Sequence, residues 1–169
     1  GSHELRTPLT AIKGFADTLA VDLAQGRAPE ARFVRIISSN AARLLSLIND
    51  LLDLSALDEG RLRIEAGPVD VRVTTETVLA QLEPALAERR QKTRLIIEGT
   101  AGDVWADGPR LEQVLVNLVE NARKYSVEGG TITVRWRAVT EGDREFVEVA
   151  VDDEGPGIAP EHQARLFER

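Results

Sequence analysis

DGPRLEQVLVNLVENARKYS, residues 107–126, is the stretch on which the fold turns. Leu111, Val114, Leu115, Leu118, Val119 and Ala122 recur at intervals of three and four, which predicts a helix over about Pro109–Tyr125 with these six as its buried stripe. Asn117 and Asn121 are four apart on another face, with Lys124 a turn further along. Asn is a poor helix former, so a mid-helix pair on one face invites a reason. Two carboxamide oxygens and a cation aligned in this way can hold Mg²⁺ and a polyphosphate. A solvated polar face has the same spacing, and these residues alone do not separate the two readings.

Around this helix the sequence alternates as a sheet does. Short runs at Leu62–Glu65, Arg94–Glu98, Thr131–Arg137 and Phe146–Val151 read as strands, with a fragment at Val104–Trp105 and a further helix over about Asp70–Arg90. The last two strands join through Glu141-Gly142-Asp143. After Val151 the stretch Asp153-Glu154-Gly155-Pro156-Gly157 is too rich in Gly and Pro for helix or strand. Residues from Gly60 onward therefore predict a two-layer α+β domain with helices on one sheet face.

Before residue 60 the period is purely helical. Leu5, Leu9, Ile12, Ala16, Leu19 and Leu23 form one stripe, and Gly26-Arg27-Ala28 ends it. Pro29 suits the first turn of a second helix, which carries Phe33, Ile37, Asn40, Leu44, Leu47, Leu51 and Leu54 at alternating steps of four and three. Ile36, Ile48 and Leu52 widen that face. Two helices with so much apolar surface cannot cover each other, so a dimer forming a four-helix bundle is expected. Asn40 is then either a register device or an edge facing solvent.

Composition narrows the chemistry. The 169 residues are 43% hydrophobic and 29% charged, with 21 Lys and Arg against 28 Asp and Glu and a net charge of -7. Such a surface disfavours nucleic acid and anionic lipid as partners. No Cys is present, so disulfides, thiolate metal sites and a cysteine nucleophile are excluded. His3 and His162 are the only imidazoles, too few for a multi-histidine centre. No apolar run is long enough to span a bilayer. There is no Met, and the chain is expected to be a piece of something larger.

Two further stretches could carry chemistry. In His3-Glu4-Leu5-Arg6-Thr7-Pro8-Leu9, His3 and Thr7 share one helix face, Leu5 and Leu9 point inward, and Pro8 removes a backbone bond. Glu4 can accept a proton from one ring nitrogen of His3 and raise the nucleophilicity of the other. Gly1-Ser2-His3 is also what an expression tag leaves behind. At the other end, an acidic residue at a strand end followed by glycines, as in Asp153–Gly157, can present a carboxylate while the backbone passes close to a flat ligand. Many turns look the same. The P-loop pattern is absent from the sequence.

Taken in order, these stretches resemble the sensor histidine kinases of two-component signalling. His3–Leu9 is similar to that family's H box, Asn117–Tyr125 to its N box, Asp153–Ile158 to its first glycine box, and Leu166–Arg169 to the start of its F box. The resemblance covers nearly the whole chain and continues through Glu4–Leu9, residues that no tag supplies. It implies a dimerisation and phosphotransfer hairpin over residues 1–60. It also implies a two-layer α/β-sandwich ATP-binding domain of the histidine kinase/gyrase type over residues 61–169, without the family's lid and second glycine box. His3 is then the phosphoacceptor for the γ-phosphate of ATP, Glu4 orients and deprotonates it, and Thr7 positions a water for dephosphorylating the response regulator. Asn117 and Asn121 are implied Mg²⁺ ligands, and Lys124 and Tyr125 contact phosphate and nucleotide. Asp153 reads the adenine amino group, while Gly155 and Gly157 let the backbone approach the base. The implied partners are a second copy of the chain and the receiver domain of a response regulator. The implied location is cytoplasmic, with the full-length protein anchored in the bacterial inner membrane.

Two departures from the family pattern are expected to matter: the absence of the lid and second glycine box, without which the site would lack a wall and some phosphate contacts, and the short lead into His3. His3 has only two residues before it, so its turn should fray. Arg123 stands where the family more often has an aliphatic residue, which an exposed position would accommodate. The competing expectations are a dimeric scaffold that keeps the fold without the chemistry, and an ATPase of the wider fold class. The latter would want a carboxylate in place of Asn117 to activate water.

Overall fold

The computed structural model describes residues 2–99 and 101–163. Two compact units divide the chain, Gly1–Arg63 and Ile64–Arg169. The F-box resemblance at Leu166–Arg169 lies outside the described residues.

The first unit is a helical hairpin of α1 (Ser2–Ala24) and α2 (Ala31–Asp58). Gly26, at φ 70°, ends α1 by taking the left-handed conformation that costs glycine nothing. Its N–H donates to Leu23 O and that of Arg27 to Asp22 O, satisfying two of the helix's last carbonyls. Pro29 lies outside α2, whose N-cap is Glu30, so the proline stiffens the approach to the helix and does not occupy its first turn. The Phe15 and Phe33 rings pack at 5.3 Å between centroids, one from each helix. Asn40 is half-buried and donates Nδ2 to Ile36 O at 2.8 Å, an internal bond of its own helix.

No residue of α2 is buried in the single chain. Leu45, Leu51, Leu52 and Leu57 are each more than half exposed, and so are Leu9 and Leu23 of α1. The inward orientation expected for Leu9 is therefore not met within one chain. Pro8, by contrast, is fully buried inside α1.

The second unit begins with β1 (Gly67–Asp70), α3 (Val71–Glu88), β2 (Lys92–Glu98) and β3 (Asp103–Ala106). It continues with α4 (Gly108–Tyr125), β4 (Thr131–Glu141), β5 (Arg144–Asp152) and the short α5 (Pro160–Gln163). The first strand lies at Gly67–Asp70, not at Leu62–Glu65. Pro68 argues against a central strand, but among the described residues β1 pairs only with β3, and such an edge tolerates a missing N–H. The main sheet has the order β2-β4-β5, with β2 parallel to β4 and β5 antiparallel to it. Gly142, at φ 61°, makes the two-residue turn that joins β4 to β5 and lets both strands run longer than the alternation suggests.

Both long helices are capped by aspartates. Asp70 accepts from the N–H groups of Arg72 and Val73 at 2.8 and 3.1 Å, and Asp107 from that of Arg110 at 3.2 Å. The core lies between these helices and β4. Val71, Val78, Leu82 and Leu86 of α3 and Leu115, Val119 and Ala122 of α4 meet Ile132, Val134 and Trp136, the alternate residues on one face of β4. Trp136 Nε1 donates to Thr75 Oγ1 at 2.9 Å, and Thr75 Oγ1 donates to Val71 O at 2.6 Å, so the one polar atom of the indole is satisfied by α3.

On the opposite face of the sheet the same strands carry charge. Arg135 lies between Glu98 of β2 and Asp152 of β5 at 3.0 and 3.6 Å, and Arg137 pairs with Glu148 at 2.6 Å. These pairs push the Arg135 and Arg137 guanidinium groups above their ordinary range, and Arg137 lowers the carboxyl of Glu148.

Leu115 is fully buried at the centre of α4. Leu115→Ala should lower stability by about 2–5 kcal/mol, the range for emptying a buried leucine site. A denaturant titration would show this as a lower midpoint at unchanged slope.

Candidate active site

The arc of α4 that meets the sheet is narrower than its sequence suggests. Leu115, Val119 and Ala122 are buried, whereas Val114 and Leu118 are 48% and 38% exposed. Spacing places these two on the same side as Asn117, Asn121 and Tyr125, all exposed. The face therefore combines two carboxamides with apolar surface, unlike a uniformly polar solvated face. At its C-terminal end the Lys124 ammonium lies 5.0 Å from the centroid of the Tyr125 ring. Arg123 is half-buried and not exposed: it makes a forked ion pair with Glu120 at 2.9 to 3.2 Å, which raises its pKa. That pairing shows how a charged residue occupies this position.

The glycine-rich loop after β5 docks on the end of this helix. Glu154 N–H donates to Ser126 Oγ at 3.3 Å, and Ser126 is buried. Gly155 N–H donates to Asp153 Oδ1 at 2.6 Å, closing a side-chain turn on the loop itself. A Cβ on Gly155 would stand 2.6 Å from the carbonyl oxygen of Tyr125, so glycine is required here by close approach. Gly157 needs glycine for a different reason, its φ of 73°. The structure thus brings Tyr125 and Ser126 together with Gly155 although thirty residues separate them. Asn117 and Asn121 lie on the preceding turns of the same helix.

His3, Glu4 and Thr7 lie in the first two turns of α1. Glu4 and Thr7 are exposed; the imidazole of His3 lies outside the described atoms. These three belong to the other unit.

Sequence reasoning missed two contributors. Asp107 accepts from the N–H of Glu65 at 2.9 Å as well as from Arg110, tying the segment before β1 to the start of α4. An aspartate just before Gly-Pro at a helix start was the available signal. Ser126 is the second, and nothing in its spacing announces a bond to residue 154.

Among the described residues no cluster of three or more His, Cys, Asp or Glu side chains could hold a metal ion. A divalent cation here would rest on the carboxamide oxygens of Asn117 and Asn121 and on a ligand's own phosphates, a donor set that suits Mg²⁺. No described helix is long and apolar enough to cross a membrane.

Residues 2–60 match the His Kinase A (phospho-acceptor) domain family, and residues 106–169 the histidine kinase-, DNA gyrase B- and HSP90-like ATPase family. The circadian input-output histidine kinase CikA of Synechococcus elongatus is 38% identical over 99% of this chain and 22% of its own length. The structure of full-length ShkA in complex with AMPPNP is similar over 99% of this chain and 35% of that one, with 30% identity and a TM-score of 0.70. Histidine kinase ThkA in complex with response regulator protein TrrA is similar over 98% and 47%, with 25% identity and a TM-score of 0.63. The chain spans less than a third of the length of the curated relatives it matches.

Two outcomes are expected at this site. Gly155→Ala should lift the loop from Tyr125, read as faster hydrogen exchange at the amides of residues 154 and 155. Hydrogen bonds from the Glu65 and Arg110 amides hold the Asp107 carboxyl below its ordinary range. Its stabilising effect is then complete above the ordinary carboxylate range and lost as pH falls through the lowered value. Asp107→Asn, which keeps one acceptor but does not titrate, should be less stable than the parent at neutral pH. The difference should shrink in acid unfolding curves.

Proposed function

The chain belongs to the sensor histidine kinases, and on that premise we propose that the whole protein phosphorylates His3 from ATP and passes the phosphoryl group to an aspartate of a response regulator. The observation that carries the reading is the docking of the glycine loop on the end of α4, which sets Gly155 against Tyr125 beside the exposed Asn117–Asn121 face.

A ring nitrogen of His3 attacks the γ-phosphorus, the P–N bond forms, and the bond to the ADP oxygen breaks. Glu4, next in sequence, orients the imidazole and takes its proton. Asn117 and Asn121 hold Mg²⁺, which neutralises phosphate charge when bound. Lys124 adds a cation near the phosphates and Tyr125 contacts the nucleotide. Asp153 has one oxygen engaged by Gly155 N–H. A carboxylate offers about four acceptor positions, so it can still accept from the adenine amino group. Gly155 lets the loop close on Tyr125 O, and Gly157, with open space where a Cβ would stand, leaves room for the base to lie close. The rate comes from positioning and charge neutralisation, as phosphoryl transfer requires.

The phosphoramidate formed on His3 is a high-energy donor suited to an aspartate of the partner's receiver domain. That partner docks on the hairpin near His3, a reading supported by the response regulator held by ThkA. Thr7, one turn from His3, positions water for the reverse, phosphatase reaction. The exposed leucines of α1 and α2 are covered by a second copy of the hairpin, completing a four-helix bundle. The chain works on the cytoplasmic side, with the rest of the protein anchored in the bacterial inner membrane.

Incubation with γ-labelled ATP and Mg²⁺ should place acid-labile, base-stable label on the parent and none on His3→Ala or Asn121→Ala. Silence from a chain extended through a second glycine box would instead point to a dimeric scaffold without kinase activity.

A further inference from the structure

The end of α4 is held from outside, by the turn that follows α3. Ser126, the C-cap of α4, is extended at φ -67° and ψ 161°, so no left-handed residue closes the helix on itself. Two of its last carbonyls, which a helix leaves without internal partners, and two just beyond it are taken up by side chains from Arg89 and Gln91 instead. Arg89 Nη1 donates to Lys124 O and Nη2 to Ser126 O, each at 3.0 Å. Gln91 is 7% exposed, and its Nε2 donates to Arg123 O at 3.0 Å and to Val127 O at 3.2 Å. The backbone adds two bonds: Arg89 O accepts from Gly129 N–H at 2.9 Å, and Lys92 N–H donates to Gly130 O at 3.0 Å.

Between these two side chains lies Arg90, the one described non-glycine residue with positive φ, at 54°. That conformation is unfavourable for a residue with a Cβ. It is held by Arg90 N–H on Ala87 O and Gln91 N–H on Leu86 O, and Arg90 pairs outward with Glu128 at 2.7 Å. The reversal brings Arg89 and Gln91 to neighbouring carbonyls of one segment, Lys124 and Ser126 for the first and Arg123 and Val127 for the second. A guanidinium at a helix C-terminus also meets the negative end of the helix dipole.

The gripped segment also carries the glycine loop. Tyr125 O is the atom that a Cβ on Gly155 would strike, and Ser126 Oγ accepts from Glu154 N–H. We propose that Arg89 and Gln91 are positioning residues of the nucleotide site: by fixing the carbonyls of residues 123, 124, 126 and 127, on either side of Tyr125, they hold the ledge on which the loop 153–157 docks. The inference rests on the reading of this loop and α4 as the ATP site. Neither residue touches nucleotide; each acts through the backbone that does.

The test uses the full chain, with Arg89→Ala, Arg89→Lys and Gln91→Leu beside the parent and Asn121→Ala. Binding of a fluorescent ATP analogue with Mg²⁺ and hydrogen exchange without nucleotide are measured where all variants remain folded. A loop competent about a tenth of the time binds about tenfold more weakly, and that loss is expected for Arg89→Ala. Faster exchange at residues 154 and 155 should accompany it while the amides of β4 keep their protection. Arg89→Lys keeps the charge without the fork and should recover part of both effects. It reports the same coupling at smaller amplitude if Arg89→Ala does not fold.

Unchanged loop exchange in Arg89→Ala and Gln91→Leu would overturn the proposal. So would a rise shared equally by the loop and β4, because the bonds would then support only the domain as a whole. If the parent and Asn121→Ala both fail to bind the analogue, the nucleotide reading fails. The exchange comparison would still decide whether the α3 turn sets the loop.

Discussion

One narrow contact organises the second unit: Leu115, Val119 and Ala122 of α4 pressed against Ile132, Val134 and Trp136 of β4. Residues spaced four and three apart cover only part of a helix's circumference. Once they face the sheet, the rotation of α4 is fixed and Val114, Asn117, Leu118, Asn121 and Tyr125 must face away. The chemistry-bearing face is thus a geometric consequence of the core. Trp136 secures the same arrangement from the other helix, since its indole N–H finds its partner on α3 at Thr75.

The second requirement is that the glycine loop reach α4, and sheet order meets it. β5 returns antiparallel along β4, so its C-terminal end at Asp152 comes back opposite Thr133, near the start of β4. The start of β4 follows the end of α4 by a few residues only. A loop leaving β5 there comes to lie against Tyr125 and Ser126. The hairpin between Glu141 and Arg144 therefore belongs to the site's construction even though it lies at the far end of the strands.

The sequence makes the helices legible because their periods are long and their ends carry glycine, proline or aspartate. The strands are legible where they alternate, as in β4, and less so where a proline hides an edge pairing, as at Pro68. The chemistry-bearing residues could be marked out by type and order, and their resemblance to three family boxes is specific as a set. Contacts between elements could not be read. The exposure of Val114 and Leu118 depends on how much of α4 its neighbours cover, and spacing gives the direction of a side chain without its cover. The bonds from Arg89 and Gln91 to α4 join residues more than thirty positions apart through backbone carbonyls, which have no sequence signature.

Among the described residues of this unit the sheet has one face under helices and one without them, and the open face carries Arg135, Arg137, Glu98, Glu148 and Asp152 as alternating partners across three strands. Exposed pairs of this kind contribute little to folding free energy. Their effect lies in what they prevent. A bare β-branched face would invite another sheet to stack on it, whereas a lattice of hydrated charges must be stripped of water before any such approach. The ladder thus governs how crowded molecules meet one another, keeping an open sheet from becoming an adhesive one.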